Sequence, residues 1–415
     1  MINSLRGFRD LLPPESDLFT RIEAAAREVF GLYGYQELRI PTIEKKELFV
    51  KSTGETTDIV EKEMYAFTDG GGREVALRPE GTPGAVRAYI EHNLGQTGRN
   101  GKYFYIGSMF RAERPQAGRF REFTQIGAEH IGNPSPAADA ESISMLVRLL
   151  EKAGVGGCSV VINSLGCAEC RKTYRQILLD HLRLNAAALC EPCKGRIERN
   201  PLRALDCKID GPALAEKAPR LSLCPACAAH FSRTQELLKI SGVEFQVNPG
   251  LVRGLDYYTS TVFEVRSGAL GSQDAVCGGG RYDDLVKSMG GPAAPAIGWA
   301  VGVDRMAMLL KDQPAPDSAP KTFIVAASKE AGDKAFALVT SMRAAGISSD
   351  FSNFELSLKS QMRSADKSGA SFALIIGEDE LKAGACAIKS LKAHGEQQTV
   401  PLPDAPSTIK QLLKG

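Results

Sequence analysis

An α+β protein with a helical insertion, joined to a separate α/β domain, is what this sequence predicts, and three observations predict it. Between Lys102 and Gly132, KYFYIGSMF and REFTQIGAEHIG read as two antiparallel strands across an arginine-rich turn. A cysteine-rich, mainly helical stretch from Cys167 to about Ser241 separates this strand-rich region from a second one, as an inserted subdomain does. Last, KDQPAPDSAPK (Lys311 to Lys321) carries three prolines and no apolar periodicity, and strands alternate with helices after it. The expected organisation is a larger domain over 1–310 with its insertion at about 167–241, a linker over 311–321, and a second domain over 322–415.

The elements follow in order. In ESDLFTRIEAAAREVFGLYG, residues Leu18, Ile22, Ala25, Val29, Phe30 and Tyr33 recur at helical spacing, and Gly34 supplies the stop. YQELRIPTIE is extended and broken by Pro41, which suits a strand edge or end. After the two long strands come a helix over 138–153 and the strand CSVVINSL. In the insertion Tyr174, Ile177, Leu178 and Leu182 form one apolar stripe. Strands resume at EFQVNP and TVFEVRS, and AIGWAVGVDRMAMLL begins as a strand and continues as a helix. Beyond the linker, TFIVAAS, ISSDFS and FALIIGE alternate with helices over 329–345 and 356–369, a small doubly wound pattern.

Composition narrows the function. Of 415 residues, 51 are basic and 49 acidic, a formal charge of +2, so a nucleic-acid partner must be held by local patches rather than bulk attraction. No apolar run is long enough to span a membrane, and MINSLRGFRDLLPPE has no apolar secretory core, which predicts a cytoplasmic protein with no membrane partner. No Gly-x-x-x-x-Gly-Lys-Ser/Thr occurs, so any nucleotide is held without a P-loop.

Four segments carry chemistry. FRAERPQAGRFR (Phe110 to Arg121) places four arginines in a short turn, where they repel unless an anion is supplied; guanidinium groups fork onto phosphates. Its bland alternative is a solvated hairpin tip. In Arg78-Pro79-Glu80-Gly81-Thr82 an acid and a hydroxyl can hold an ammonium, or simply begin a helix. LVRGLDYY (Leu251 to Tyr258) can build a polar pocket with an aromatic wall, or pack a sheet. Three successive glycines in CGGGRYD (Cys277 to Asp283) allow close backbone approach to a flat ligand, or a turn.

Taken together, the segments resemble the class II aminoacyl-tRNA synthetases, specifically the histidyl-tRNA synthetase family. Pro41 resembles the motif 1 proline, Phe110-Arg111-Ala112-Glu113 motif 2, and Gly302-Val303-Asp304-Arg305 motif 3. LVRGLDYYTSTVFE and GGGRYDDLV resemble the two signatures specific to that family. The resemblance implies a class II antiparallel-sheet catalytic domain, a C-terminal α/β anticodon-binding domain and a homodimer. It also implies ATP-dependent ligation of L-histidine to tRNA(His) through a histidyl-adenylate, with Mg²⁺ accompanying ATP. Arg253 and Arg111 are then the catalytic cations at the α-phosphate. Glu113, Arg119 and Arg305 join Arg111 in binding ATP. Glu80, Gly81, Thr82, Gln125, Glu129, Tyr257 and Tyr258 form the histidine pocket, Glu129 and Tyr258 at the imidazole. The alternative is a non-catalytic, synthetase-like regulatory subunit of histidine biosynthesis, which keeps the catalytic fold but typically lacks the C-terminal domain.

Seven of the ten cysteines lie between Cys167 and Cys227. Cys190-x-x-Cys193 and Cys224-x-x-Cys227 have the knuckle spacing of a structural zinc site, with Cys167, Cys170 and Cys207 as competing ligands and incidental reduced thiols as the alternative.

Overall fold

In the computed structural model the described residues are 2–54, 57–96, 101–116, 118–205, 207, 209–271, 274–312, 319–392 and 397–414. The chain forms two compact units, Met1–Ala315 and Pro316–Gly415. Residues 313–318, inside the expected linker, lie outside the described residues.

In the first unit the strands are, in chain order, β1 (Gln36–Glu37), β2 (Ile43–Lys45), β3 (Ala66–Thr68), β4 (Glu74–Leu77), β5 (Gly101–Phe110), β6 (Glu122–Ile131), β7 (Ser159–Ser164), β8 (Gln246–Val247), β9 (Thr259–Arg266), β10 (Ala275–Arg281) and β11 (Ala296–Gly302). Eight of them make one sheet in the order β1-β5-β6-β11-β10-β9-β7-β8, and β2-β4-β3 make a small second sheet. Every pairing from β5 across to β7 is antiparallel. The triple-glycine segment is strand β10, between β9 and β11, rather than a turn. Pro41 falls between β1 and β2, where its missing N–H removes no ladder bond.

One face of this sheet is apolar. Phe30, on the helix Glu15–Leu32, stacks on Phe104 of β5 at 4.3 Å and lies 5.8 Å from Trp299 of β11. Trp299 donates its indole N–H to the Ser142 carbonyl at 3.1 Å, which fixes the helix Pro136–Ala153 on the same side. A buried phenylalanine here contributes on the order of 3 kcal/mol. Because strand side chains alternate, burying Trp299 turns Gly298 to the opposite face, and that face carries the polar residues.

The insertion comprises helices Ala168–Leu184, Glu191–Arg196, Gly211–Lys217 and Pro225–Ile240 with short 3-10 turns. It has its own small core of Tyr174, Leu178, Leu182, Leu189, Cys193 and Ile197. Its last helix belongs partly to the main core, through Phe231 and Leu238.

In the second unit, β12 (Thr322–Ala326), β13 (Ser349–Phe351) and β14 (Phe372–Ile376) pair in parallel as β13-β12-β14. Two antiparallel strands, β15 (Ala385–Ser390) and β16 (Gln398–Pro401), extend the sheet, so the doubly wound expectation holds for its first half only. Short alternating runs such as ACAIKS acquire strand pairing only from the neighbour they meet.

Candidate active site

The polar face centres on β6. Glu129 is wholly buried and lies opposite Gly298 of β11. A Cβ at Gly298 would stand 1.8 Å from Glu129 Oε2, so glycine is what leaves the carboxyl its space. Tyr105 of β5 likewise lies opposite Gly127, and Cβ atoms at Gly127 or Gly81 would come within 2.2 Å of its ring. Thr82 Oγ1 donates to Glu129 Oε1 at 2.8 Å, Tyr105 OH donates to the same oxygen at 3.3 Å, and Tyr282 OH donates to Oε2. Burial pushes the Glu129 carboxyl up to about 8, with these hydroxyls pulling the other way and the Glu80 charge adding to the rise.

Glu80 precedes the helix Thr82–Glu91, whose N-cap is Gly81. Tyr257 OH donates to Glu80 Oε2 at 3.0 Å. Burial raises this carboxyl to about 7, and the Arg111 guanidinium opposes the rise. Glu80 Oε1 and Gln125 Oε1 are buried acceptors with no hydrogen-bond donor among the described residues. The Tyr257 ring lies 4.7 Å from Tyr258 and 5.7 Å from Tyr282. All seven expected histidine-site residues are therefore buried, and hydrogen bonds or electrostatic contact link Glu80, Thr82, Glu129, Tyr257 and Tyr258.

Arginines border this pocket. Arg253 Nη1 donates to Glu264 Oε1 at 2.7 Å, and the guanidinium stands 5.9 Å from the Tyr258 ring centroid. A Cβ on Gly278 would lie 1.9 Å from Arg253 Nη2, so this glycine of the triple makes room for a cation. Arg111 leaves the end of β5, donates from Nε to the Pro79 carbonyl at 2.9 Å and packs over Phe123 at 5.3 Å. Arg119 Nη1 pairs with Glu113 Oε2 at 2.8 Å. Arg305, on the helix Val303–Leu310, donates to the Ala275 carbonyl. Burial lowers the Arg305 pKa and the Arg119 charge adds to that, while Glu113, Asp274 and Glu264 support its charge. Glu113 and Arg119 thus lie within electrostatic reach of Arg305, and Arg111 within reach of Glu80.

Two motif arginines do other work. Arg78 donates to the Ser108 and Ile40 carbonyls at 2.8 and 2.6 Å and ties the Pro41 segment to β5. Arg281, 1% exposed, is spent on Asp139 (2.7 Å), Asp283 (2.9 Å) and two carbonyls. Sequence reading missed Tyr105, Tyr282 and Glu264. The available signals were a tyrosine facing glycine across the hairpin, the residue next to the triple-glycine arginine, and the last acid of LVRGLDYYTSTVFE.

The single zinc set Cys190, Cys193, Cys224 and Cys227 requires correction. Cys224 and Cys227 gather with Cys167 and Cys170, whereas Cys190 and Cys193 gather with Cys207 and Asp210. In each group every pair of donor atoms is within 4.8 Å, so each could hold a metal ion. The reason is the chain path: Cys167 follows β7 at the start of the insertion and Cys224 caps its last helix, which packs on the main core, while Cys190 and Cys193 lie with the insertion's own core.

Comparison with known proteins matches the family model described as histidyl-tRNA synthetase over residues 7–306 and that described as anticodon binding domain over 321–412. A histidine–tRNA ligase of Elusimicrobium minutum is 53% identical over 412 residues, covering 99% of this chain and 100% of that protein. One from Geobacter sulfurreducens is 48% identical, covering 97% and 98%. The crystal structure of apo Staphylococcus aureus histidyl-tRNA synthetase superposes with a TM-score of 0.83 at 32% identity, over 99% of this chain and 100% of that one.

Proposed function

The chain belongs to the histidyl-tRNA synthetase family, and we propose on that premise that it activates L-histidine with ATP and transfers it to tRNA(His) from the buried site on β6. The observation that carries this reading is the pair of buried oxygens, Glu80 Oε1 and Gln125 Oε1, that have no donor among the described residues, beside a Glu129 carboxyl already wired by three hydroxyls. An α-ammonium supplies the missing donors at Glu80 and Gln125, and Thr82 retains lone pairs to accept a further bond. The imidazole N–H is taken by Glu129, with Tyr258 beside it.

The histidine carboxylate must attack an anionic phosphorus, so two negative groups are brought together. Arg253 and Arg111 offset that charge, which grows at the α-phosphate in the pentacoordinate transition state. No general base is needed because the nucleophile is already ionised. Arg119 and Arg305 hold the remaining phosphates. Glu113 and Glu264, the carboxylates beside Arg305, are oxygen donors that suit a hard cation and would hold the Mg²⁺ accompanying ATP, which would supply charge neutralisation at the pyrophosphate. Adenylate formation and transfer then release pyrophosphate and AMP.

In this reading the unit Pro316–Gly415 binds the anticodon. It has 11 basic and 10 acidic residues from Thr322 onward, so recognition works through base edges and stacking rather than net charge. The partner is a second copy of the chain, supported by Ile43 and Phe67, left half-exposed on the small sheet. No helix among the described residues is long and apolar enough to cross a membrane, consistent with a cytoplasmic enzyme.

Pyrophosphate exchange measured across the twenty amino acids tests the proposal. Exchange is expected with histidine alone; exchange with none, or equally with others, overturns it. A regulatory subunit gives no exchange and no charged tRNA.

A further inference from the structure

Seven cysteines and one aspartate of the insertion stand in two groups that take no part in the ligation chemistry. Cys167 Sγ and Cys170 Sγ are 3.7 Å apart, and Cys224 and Cys227 complete the first set. Cys190 Sγ and Cys207 Sγ are also 3.7 Å apart, with Cys193 and Asp210 completing the second. A disulfide would bring two sulfurs to about 2.05 Å, so neither contact is a crosslink. Sulfurs bound tetrahedrally to zinc at about 2.3 Å stand roughly 3.8 Å from one another. The observed spacing is that of ligands around one small ion.

We propose that the chain holds two structural zinc ions, one in the Cys167–Cys170–Cys224–Cys227 set and one in the Cys190–Cys193–Cys207–Asp210 set. Each knuckle is formed locally in the same way. Cys167, Cys190 and Cys224 are extended helix N-caps, and their partners follow in the first turn. The two long helices Ala168–Leu184 and Pro225–Ile240 direct their positive ends at the first set, which offsets thiolate charge. Across that set, Cys224 N–H donates to Cys170 Sγ at 3.2 Å. In the second set, Cys190 N–H donates to the Asp210 carboxylate at 3.1 and 3.2 Å, holding the oxygen ligand in place. Soft thiolates at tetrahedral spacing select zinc over a hard cation.

The first ion also braces the amino-acid pocket. The helix Pro225–Ile240 is anchored to the main core by His230, whose Nε2 lies 2.8 Å from the buried Asp139. The ion ties this helix to the start of Ala168–Leu184, from which Arg171 Nη1 donates to the Tyr258 carbonyl at 3.0 Å. Leu165 and Gly166, just before Cys167, pair with Ser260, a non-glycine residue held at φ +41°. Only this bracing role rests on the proposed ligase function; the ions themselves do not.

Metal content decides the matter on the full-length protein, purified under reductant without chelator and measured by plasma mass spectrometry. Two zinc ions per chain are expected; one, none, or iron in their place overturns the proposal, and this measurement needs no variant to fold. Cys227→Ser and Cys193→Ser should each keep one zinc, and loss of both ions in each overturns two independent sites. With cobalt substituted, Cys193→Ser, which retains the all-thiolate site, should show the stronger sulfur-to-metal absorption; equal or reversed intensities overturn the ligand assignment. Cys227→Ser should also raise the histidine KM several-fold with the ATP KM unchanged, and an unchanged histidine KM removes the bracing role while leaving the zinc count standing.

Discussion

The histidine side and the nucleotide side of the site are built by different rules. On the histidine side every group is buried, and much of the hydrogen bonding is set before any ligand arrives: Glu129 takes three hydroxyl donors and Glu80 takes one, while Glu80 Oε1 and Gln125 Oε1 stay without a donor among the described residues. On the nucleotide side the cations remain partly exposed and are paired with acids, Arg119 with Glu113 and Arg253 with Glu264. A small neutral-to-cationic ring is told apart from other side chains by preset acceptors, because an unpaired buried polar group is expensive. A polyphosphate needs strong charge and some freedom, since its own charge changes during the reaction. Selectivity is thus stored in rigid burial, and rate in cations whose partners an anion can displace.

The largest expected effect separates the two sides most sharply. Arg253→Ala should lower kcat for pyrophosphate exchange by about 10²–10³, as losing a donor aimed at transition-state charge does, with histidine affinity changed far less. Exchange near the native rate would refute the catalytic role of this guanidinium. Glu129→Gln should act in the opposite sense, raising the histidine KM roughly 10- to 100-fold, as a lost charge-assisted hydrogen bond does, and leaving the ATP KM nearly unchanged. Steady-state kinetics with each substrate varied in turn checks the split. Arg119→Ala, at a half-exposed ion pair, should raise the ATP KM only about fivefold, since such pairs are worth about 1 kcal/mol or less.

The remaining effect is on pH dependence. Glu129 and Glu80 have pKa values raised by burial to about 8 and about 7, against an ordinary 4.5. Between pH 4.5 and about 8 the folded apo protein therefore binds more protons than the unfolded chain, and these two groups make stability fall as pH rises. Urea unfolding at pH 5, 6.5 and 8 should show this slope, reduced in Glu129→Gln. An unchanged slope in that variant would mean that Glu129 is ionised in the free enzyme.

Legibility in the sequence followed the same division. The strand pair around FRAERPQAGRFR and the helix stripe from Leu18 to Phe30 are local patterns, and they appear where spacing placed them. The letters of LVRGLDYY and Arg78-Pro79-Glu80-Gly81-Thr82 pointed to the pocket. They could not reveal that Arg78 and Arg281 are structural, because an arginine's role is set by which carbonyls and carboxylates surround it after folding.

Cysteine pairs three residues apart announce a knuckle, since an N-cap and the first helical turn bring i and i+3 together whatever the rest of the chain does. Which knuckle meets which is a long-range matter: Cys224 finds Cys167 because β7 and the helix Pro225–Ile240 converge on the sheet, not because of any spacing between them. The same holds for Gly278 and Gly298, whose absent side chains matter only because Arg253, from the segment before β9, and Glu129, from β6, arrive beside them. Sequence alone determined the elements and the kinds of chemistry this chain carries. Tertiary structure decided the partners, because contact between distant residues depends on the whole path between them.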